Sequence, residues 1–222
     1  MSSSALLAGK KILISAGPTY EDLDPVRFLG NRSSGKMGFA LAAEAVGMGA
    51  TVTLVAGPVH LPTPPGVNRI DVRRALQMRE AVLAALPGQD VYIGAAAVAD
   101  YMPAETAPQK LKKTGATLTL ELVRTPDILA EVAAHPARPP CVVGFAAETS
   151  DMERYALGKL HGKNVDMIAA NDVSRPGCGF ESEDNALTVF ARDGRSEITS
   201  GPKARVARAL LELVAARLER LA

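Results

Sequence analysis

Short apolar runs alternate with segments of helical periodicity along most of this chain. Residues 11–15, 51–56, 67–72, 90–97, 141–145 and 166–170 are compact apolar or small-residue runs that predict strands. Between them the spacing predicts helices. One covers 36–48, where Phe39, Leu41, Ala42, Ala45 and Val46 share a face and Gly47–Gly49 supplies the stop. Others cover 75–86, 127–134 and 152–163, the second of these capped by Thr125 with Pro126 in the first turn. A last helix follows Pro202, with Val206, Leu210, Leu213, Val214, Leu218 and Leu221 recurring at helical spacing. This rhythm predicts an α/β fold: a three-layer αβα, Rossmann-like, mostly parallel sheet. Ligands of such sheets bind outside the carboxyl ends of strands. That rule gathers Gly17, Gly94–Ala97, Gly144–Phe145 and Ala170–Asn171 onto one edge.

Two stretches break the rhythm. Residues 117–122 and 186–190 alternate polar and apolar side chains and predict antiparallel strands with one apolar face. So small a layer is not stable alone, so both are expected in an arm that packs on a partner. There is no internal repeat.

Composition narrows the picture. A chain of 222 residues buries a real core, and 47% hydrophobic with 22% charged residues is ordinary for a globular domain. A net charge of +1 gives no general pull toward nucleic acid, so no such partner is expected and any basic site is local. Cys141 and Cys178 match no metal or redox spacing, and Cys141, in an apolar run, reads as a buried small hydrophobe. No apolar stretch reaches the roughly 20 residues of a membrane span and no signal peptide is legible, so a cytoplasmic location without a membrane partner is expected. His60, His135 and His161 lack metal spacing, and there is neither a Gly-x-Ser-x-Gly elbow nor a Gly-x-Gly-x-x-Gly after the first strand.

The segment from Gly30 to Gly38 matches the G-x-x-x-x-G-K spacing of a P-loop, but Met37 stands where that motif needs the hydroxyl that holds Mg²⁺. The nearest predicted strand upstream, 11–15, also ends well before Gly30, so a P-loop NTPase is rejected. What survives is a small-residue turn opening a helix. Its unpaired N–H groups and positive end suit an anion. Four more clusters lie at or near strand ends: Asp24–Arg27; Ala96–Tyr101, a small-residue strand ending in Asp100; the basic run Lys110-Leu111-Lys112-Lys113; and Gly144–Thr149, followed by Lys159 and Lys163 on one helix face. Taken singly, Asp100 fits a turn cap and the lysines fit solvated surface. Together, in a chain of net charge only +1, they surround one predicted sheet edge as a nucleoside triphosphate requires.

These motifs, with Ser15–Thr19 and Ala170–Val173, together resemble phosphopantothenate–cysteine ligase of the bacterial type, from about Lys10 to the end of the chain. The resemblance implies that the carboxylate of phosphopantothenate attacks CTP to give an acyl-cytidylate and pyrophosphate. The amine of L-cysteine then displaces CMP, a step of coenzyme A synthesis. It implies that Asn31 stabilises the acyl-cytidylate and that Lys110 assists from a mobile loop. Ser33, Gly35 and Gly38 would cradle phosphates. Gly94, Ala95, Ala96, Asp100, Pro126, Asp127, Ile128, Leu129, Phe145, Lys159 and Lys163, with Lys110, would hold the nucleotide. Phosphopantothenate would lie near Asn31, Ala96, Ala97, Asp100 and Asn171, and Arg27 would reach it from the other subunit of a homodimer. Mg²⁺ is expected with the triphosphate and without a dedicated protein cage. Bacterial members are commonly fused to a flavin-dependent phosphopantothenoylcysteine decarboxylase, which is the implied partner, fused or separate. Residues 1–9 are too short for it and read as a tail or linker remnant before a ligase domain at 10–222, so no flavin is expected in this chain. Three alternatives stand beside this: the same ligation with ATP, a Rossmann-like oxidoreductase, and a non-catalytic nucleotide-binding module.

Overall fold

The computed structural model describes residues 5–113, 115–148, 151–172 and 182–221, with the backbone alone at Ala147, Glu148 and Asp172. The first half runs β1 (Lys11–Ala16), β2 (Tyr20–Asp22), β3 (Phe28–Gly30), α1 (Lys36–Gly47), β4 (Thr51–Ala56), β5 (Val67–Asp71), α2 (Ala75–Ala85) and β6 (Val91–Gly94). The second runs β7 (Tyr101–Pro103), β8 (Leu122–Arg124), α3 (Ile128–Ala134), β9 (Cys141–Glu148), α4 (Met152–Gly162), β10 (Met167–Asp172), β11 (Asp184–Ala191), β12 (Gly194–Pro202) and α5 (Lys203–Leu221).

Eight strands form one sheet in the order β12-β11-β10-β9-β6-β1-β4-β5. From β10 to β5 every pairing is parallel, and β11 and β12 extend the sheet antiparallel. Alternate side chains of a strand face opposite sides, and here both sides are covered. Ile12, Ile14, Val52 and Leu54 pack with Leu41 of α1 and Val206, Leu210 and Val214 of α5. Leu13, Val55, Tyr92, Val142 and Ile168 pack with Met78 and Val82 of α2, Val132 of α3 and Leu160 of α4. The three-layer, mostly parallel architecture expected from the rhythm is therefore present.

The arm differs from expectation. Residues 186–190 belong to β11 of the central sheet, where Leu187 and Val189 join the core beneath α5. Of 117–122, only Leu122 is in a strand, the short β8, which pairs antiparallel with β7. Alternation marks a strand with one buried face but does not say which sheet supplies the cover. The strands β2, β3 and β7 are three residues each, too short to show a period, and β12 is a polar edge strand with Ile198 as its buried apolar residue. The run at 90–97 is a strand only to Gly94, and Ala97 makes an isolated bridge to Pro18. A strand, β3, does lead directly into the Gly30 turn, but it belongs to the β2–β3 hairpin outside the central sheet.

In the stretch expected as a tail, Leu7 is fully buried and its N–H donates to the Met48 carbonyl at 3.0 Å. Cys141 is buried in β9, and burial pushes its thiol up to about 12, so it stays protonated at neutral pH. Cys178, Thr149, Val173 and the first four residues lie outside the described residues. Among the described residues no helix is long and apolar enough to cross a membrane.

Candidate active site

A cleft of about 760 Å³ opens along the carboxyl ends of β1, β6 and β9. All the expected site residues line it except Lys110 and Arg27. The chain builds it from four sides.

The first side is the turn before α1. Gly35 caps this helix in the left-handed region, at φ 74°, and Ser34 Oγ accepts from the Lys36 N–H at 3.5 Å, while among the described residues no side chain accepts from the Met37 or Gly38 N–H, which are open to a ligand. Ser33 Oγ accepts from Gly35 N–H at 3.4 Å, shaping the turn. Gly38 lets α1 lie against β1, because a Cβ there would sit 2.4 Å from the Ala16 Cβ. The anion-receptive helix start is thereby held at the sheet edge.

The second side is the small-residue segment after β6. The Gly17 carbonyl accepts from Ala97 N–H at 2.9 Å and Thr19 Oγ1 accepts from Ala99 N–H at 3.0 Å. The Asn31 side chain crosses to this segment, Nδ2 donating to the Val98 carbonyl at 3.0 Å and the Ala97 carbonyl at 3.4 Å. The amide thus keeps one good bond, and its second N–H, poorly matched, is available to a better acceptor. Beneath, the Tyr92 and Ser15 hydroxyls share a hydrogen bond of 3.0 Å, and burial pushes the phenol up to about 12.

The third side is the start of α3. Its Leu129 settles into the sheet because β9 carries Gly144, where a Cβ would meet Leu129 Cδ2 at 2.5 Å. Asp127 caps the helix, accepting from Ala130 N–H at 3.1 Å, and pairs with Lys163 Nζ at 2.7 Å. Burial opposes its ionisation, but Lys163 and the helix N–H outweigh this and hold the carboxyl below its ordinary value. Lys159, one turn earlier, and Phe145 also line the cleft.

The fourth side was not legible beforehand. Asn185 of β11 and Lys203 at the start of α5 line the cleft beside Lys36. The Lys203 ammonium donates to the carbonyls of Ser182 and Asp184, the latter at 3.2 Å, and Lys36 pairs with Glu183. Lys203 reads as surface from its neighbours in sequence, yet it is only 8% exposed. Arg124 and Thr125 line the cleft as well. Asn171 lines it with an Oδ1 atom that is buried and has no hydrogen-bond partner among the described residues, which suits it to a ligand donor.

Lys110 is exposed on the segment between β7 and β8, outside the cleft lining. Arg27 does not line it either: its guanidinium pairs with Asp24 of the same chain. The carboxylates on the lining are Asp100 and Asp127, and among the described residues no cluster of three or more His, Cys, Asp or Glu exists to hold a metal ion.

Fold and cleft together define a Rossmann-like α/β protein with an anion-receptive, lysine-flanked site at the carboxyl edge of its sheet. Residues 7–218 match the family described as DNA/pantothenate metabolism flavoprotein C-terminal domain, and the chain belongs to that family. It is 55% identical over 211 residues to the coenzyme A biosynthesis bifunctional protein CoaBC of Vibrio cholerae, covering 94% of this chain and 53% of that protein. Identity to the protein of that name from Escherichia coli is 52% over 211 residues, covering 94% and 52%. The chain thus spans about half the length of these curated relatives. A solved structure of the C-terminal domain of a CoaBC protein is similar at a TM-score of 0.84 and 42% identity, covering 98% of this chain and 100% of that one.

Proposed function

We propose that this chain is the ligase domain of coenzyme A biosynthesis that joins phosphopantothenate to L-cysteine at the expense of CTP. The observation that carries this reading is the convergence in one cleft of a helix start with no side-chain cap on it, the Asn31 amide, Lys159 of α4 and Lys163 at the C-terminal cap of that helix. A carboxylate is inert toward an amine until one of its oxygens becomes part of a leaving group. In the proposed first half, a phosphopantothenate carboxylate oxygen attacks the α-phosphorus of CTP and pyrophosphate departs. In the second, the cysteine amine attacks the acyl carbon, CMP leaves with the bonding electrons, and the nitrogen loses a proton as the amide forms.

Each part of the chain has a task in that sequence. The Gly35–Gly38 helix start receives phosphate oxygens, and Lys159 and Lys163 offset the nucleotide's negative charge. Asn31 donates its weakly used N–H to the acyl-cytidylate, and the Asn171 oxygen, which has no partner among the described residues, would accept a hydrogen bond from phosphopantothenate. Lys110 acts from its exposed segment when that segment closes over the cleft. Mg²⁺ fits this site only as an ion held largely by the triphosphate, with Asp100 as the lining carboxylate that has no ion-pair partner among the described residues. Bound in that way, it would neutralise charge on the phosphates.

We also infer a homodimer. Seven of the ten large hydrophobic side chains exposed among the described residues cluster on the β2–β3 turn and the β7–β8 arm: Val26, Phe28, Tyr101, Leu118, Leu120, Leu122 and Val123. A patch so concentrated marks an interface. Within such a dimer Arg27 would serve the neighbouring site. Light scattering should give a two-chain mass, and Val26→Asp with Leu118→Asp should return one chain; a one-chain mass for the unsubstituted protein removes both the dimer and the cross-subunit role. A flavin-dependent decarboxylase, fused or separate, would take the product onward, in keeping with the word bifunctional in the relatives' name.

The test is pyrophosphate release with phosphopantothenate and Mg²⁺, comparing CTP with ATP, each with and without cysteine. Release with CTP that depends on phosphopantothenate, and CMP with the amide on adding cysteine, is the expected result. Release with ATP alone would move the nucleotide assignment, and silence with both in a folded dimer would overturn the reading.

A further inference from the structure

The turn between β2 and β3 carries a carboxylate that the reaction sequence above does not use. Asp24 is 1% exposed, far from the exposure usual for an aspartate in a surface turn. Its Oδ1 accepts from Val26 N–H at 2.8 Å and Arg27 N–H at 2.9 Å. Its Oδ2 accepts from Arg27 Nε at 3.0 Å, from the Arg27 terminal nitrogen at 2.5 Å and from Leu111 N–H at 3.1 Å. The same Arg27 nitrogen donates to the Leu111 carbonyl at 2.9 Å. Acid and base thus grip both polar groups of one peptide residue, 87 positions away, on the segment that carries Lys110. Two further bonds dock the start of that segment: Ala107 N–H to the Leu23 carbonyl at 2.9 Å, and Thr106 Oγ1 to the Asp22 carbonyl at 3.0 Å.

Beyond the gripped residue the picture changes. Lys110, Lys112 and Lys113 are exposed, and among the described residues none has an ion-pair partner. A buried, five-bonded carboxylate therefore holds Leu111 while the lysines on either side stay in solvent. Charge-assisted bonds of this kind are the strong ones, and they fix position without fixing the side chains beyond.

We propose that Asp24 is a positioning residue, which with Arg27 makes Leu111 the pivot about which the Lys110 segment moves between solvent and the cleft. The pivot fixes the arc that Lys110 sweeps. The Arg27 guanidinium beside Asp24 holds its carboxyl well below the usual carboxylate range despite burial. The grip is accordingly complete at neutral pH and is lost only as acidification passes below that range. Its part in turnover rests on the reading that Lys110 acts in the proposed ligation, whereas the grip itself does not.

Limited trypsin digestion of the full chain tests both, because the segment presents three cleavable lysines. Asp24→Asn replaces an acceptor oxygen by a donor that faces the Arg27 and Leu111 N–H groups. Cleavage mapped by mass spectrometry to Lys110–Lys113 should then quicken about tenfold or more, with cuts elsewhere unchanged. In the same variant kcat should fall about tenfold while the KM for cysteine stays put. Arg27→Lys, which keeps Asp24 paired but cannot reach the Leu111 carbonyl in the same fork, should quicken the same cuts and serves if Asp24→Asn does not fold. Unchanged cleavage in folded variants overturns the pivot, and faster cleavage with intact turnover overturns the positioning role. If the unsubstituted protein does not ligate, the ligase reading fails and the cleavage comparison still decides the pivot.

Discussion

Asn31→Ala should lower amide formation by about 10²–10³-fold, the range for losing one oriented donor to a developing charge. Its thermal midpoint should hardly move. The residue is exposed, and its side chain contributes one bond of 3.0 Å and one of 3.4 Å to the carbonyls of the half-buried Val98 and Ala97. Surface changes of this kind shift stability by less than about 0.5 kcal/mol. The measurement is single-turnover formation of the amide after mixing enzyme, CTP, Mg²⁺ and phosphopantothenate with cysteine, next to a thermal scan. Asn31→Asp sharpens the result, because it keeps the shape but turns the donor into an acceptor facing the Ala97 and Val98 carbonyls. Near-normal turnover in Asn31→Ala would remove the residue from the mechanism.

Gly57→Ala should carry the largest loss of stability among the glycine replacements. A Cβ there would stand 1.7 Å from the Pro18 carbonyl oxygen and 2.9 Å from its carbon, both backbone atoms that cannot rotate away. Gly57 N–H also donates to the Ala16 carbonyl at 2.9 Å, so the two segments cannot part without losing that bond. The expected cost is on the order of 3 kcal/mol, which for a domain of this size lowers the midpoint by roughly 10 °C. The damage should reach the site as well. Pro18 bridges Ala97, and the flanking Gly17 and Thr19 hold Ala97 and Ala99 in place beneath Asn31. Gly158→Ala is the control: it is exposed in α4 with nothing within 4 Å of the new Cβ, and should stabilise by about 0.5–1 kcal/mol. Equal midpoints for the two variants would contradict the close approach at Pro18.

How far the sequence could be read divides along the range of the interactions. The αβα order was legible because each parallel strand and each covering helix carries its own period. The residues of 51–56, for example, form β4 over that same range. The helix-start site was legible too, since Gly35, Lys36 and Gly38 lie together in one turn. Residues whose role depends on a distant partner were not. Sequence could not say that β11 would pair with β10 rather than with an arm, because alternation records one buried face and not the sheet that buries it. Nor could it bring Asn185 and Lys203 to the cleft, for nothing near them in sequence differs from ordinary surface.

Arg27 shows the boundary most sharply. Its motif, Asp24-Pro25-Val26-Arg27, stands out in the sequence as a cluster near a strand end, but the pairing of Arg27 with Asp24 of the same chain is seen only in the fold. That the pair then grips Leu111 is a product of two loops meeting after the sheet has formed. The sequence by itself determined the parallel strands, the helices, the anion-receptive turn and the cluster of small residues at the strand ends. Tertiary structure alone decided which loops meet, which lysines face the cleft and which carboxylate is buried. Local periodicity and turn chemistry are set by neighbours a few bonds away, whereas these pairings are set by the packing of layers that brings residues 80 or more apart in the chain within hydrogen-bond reach.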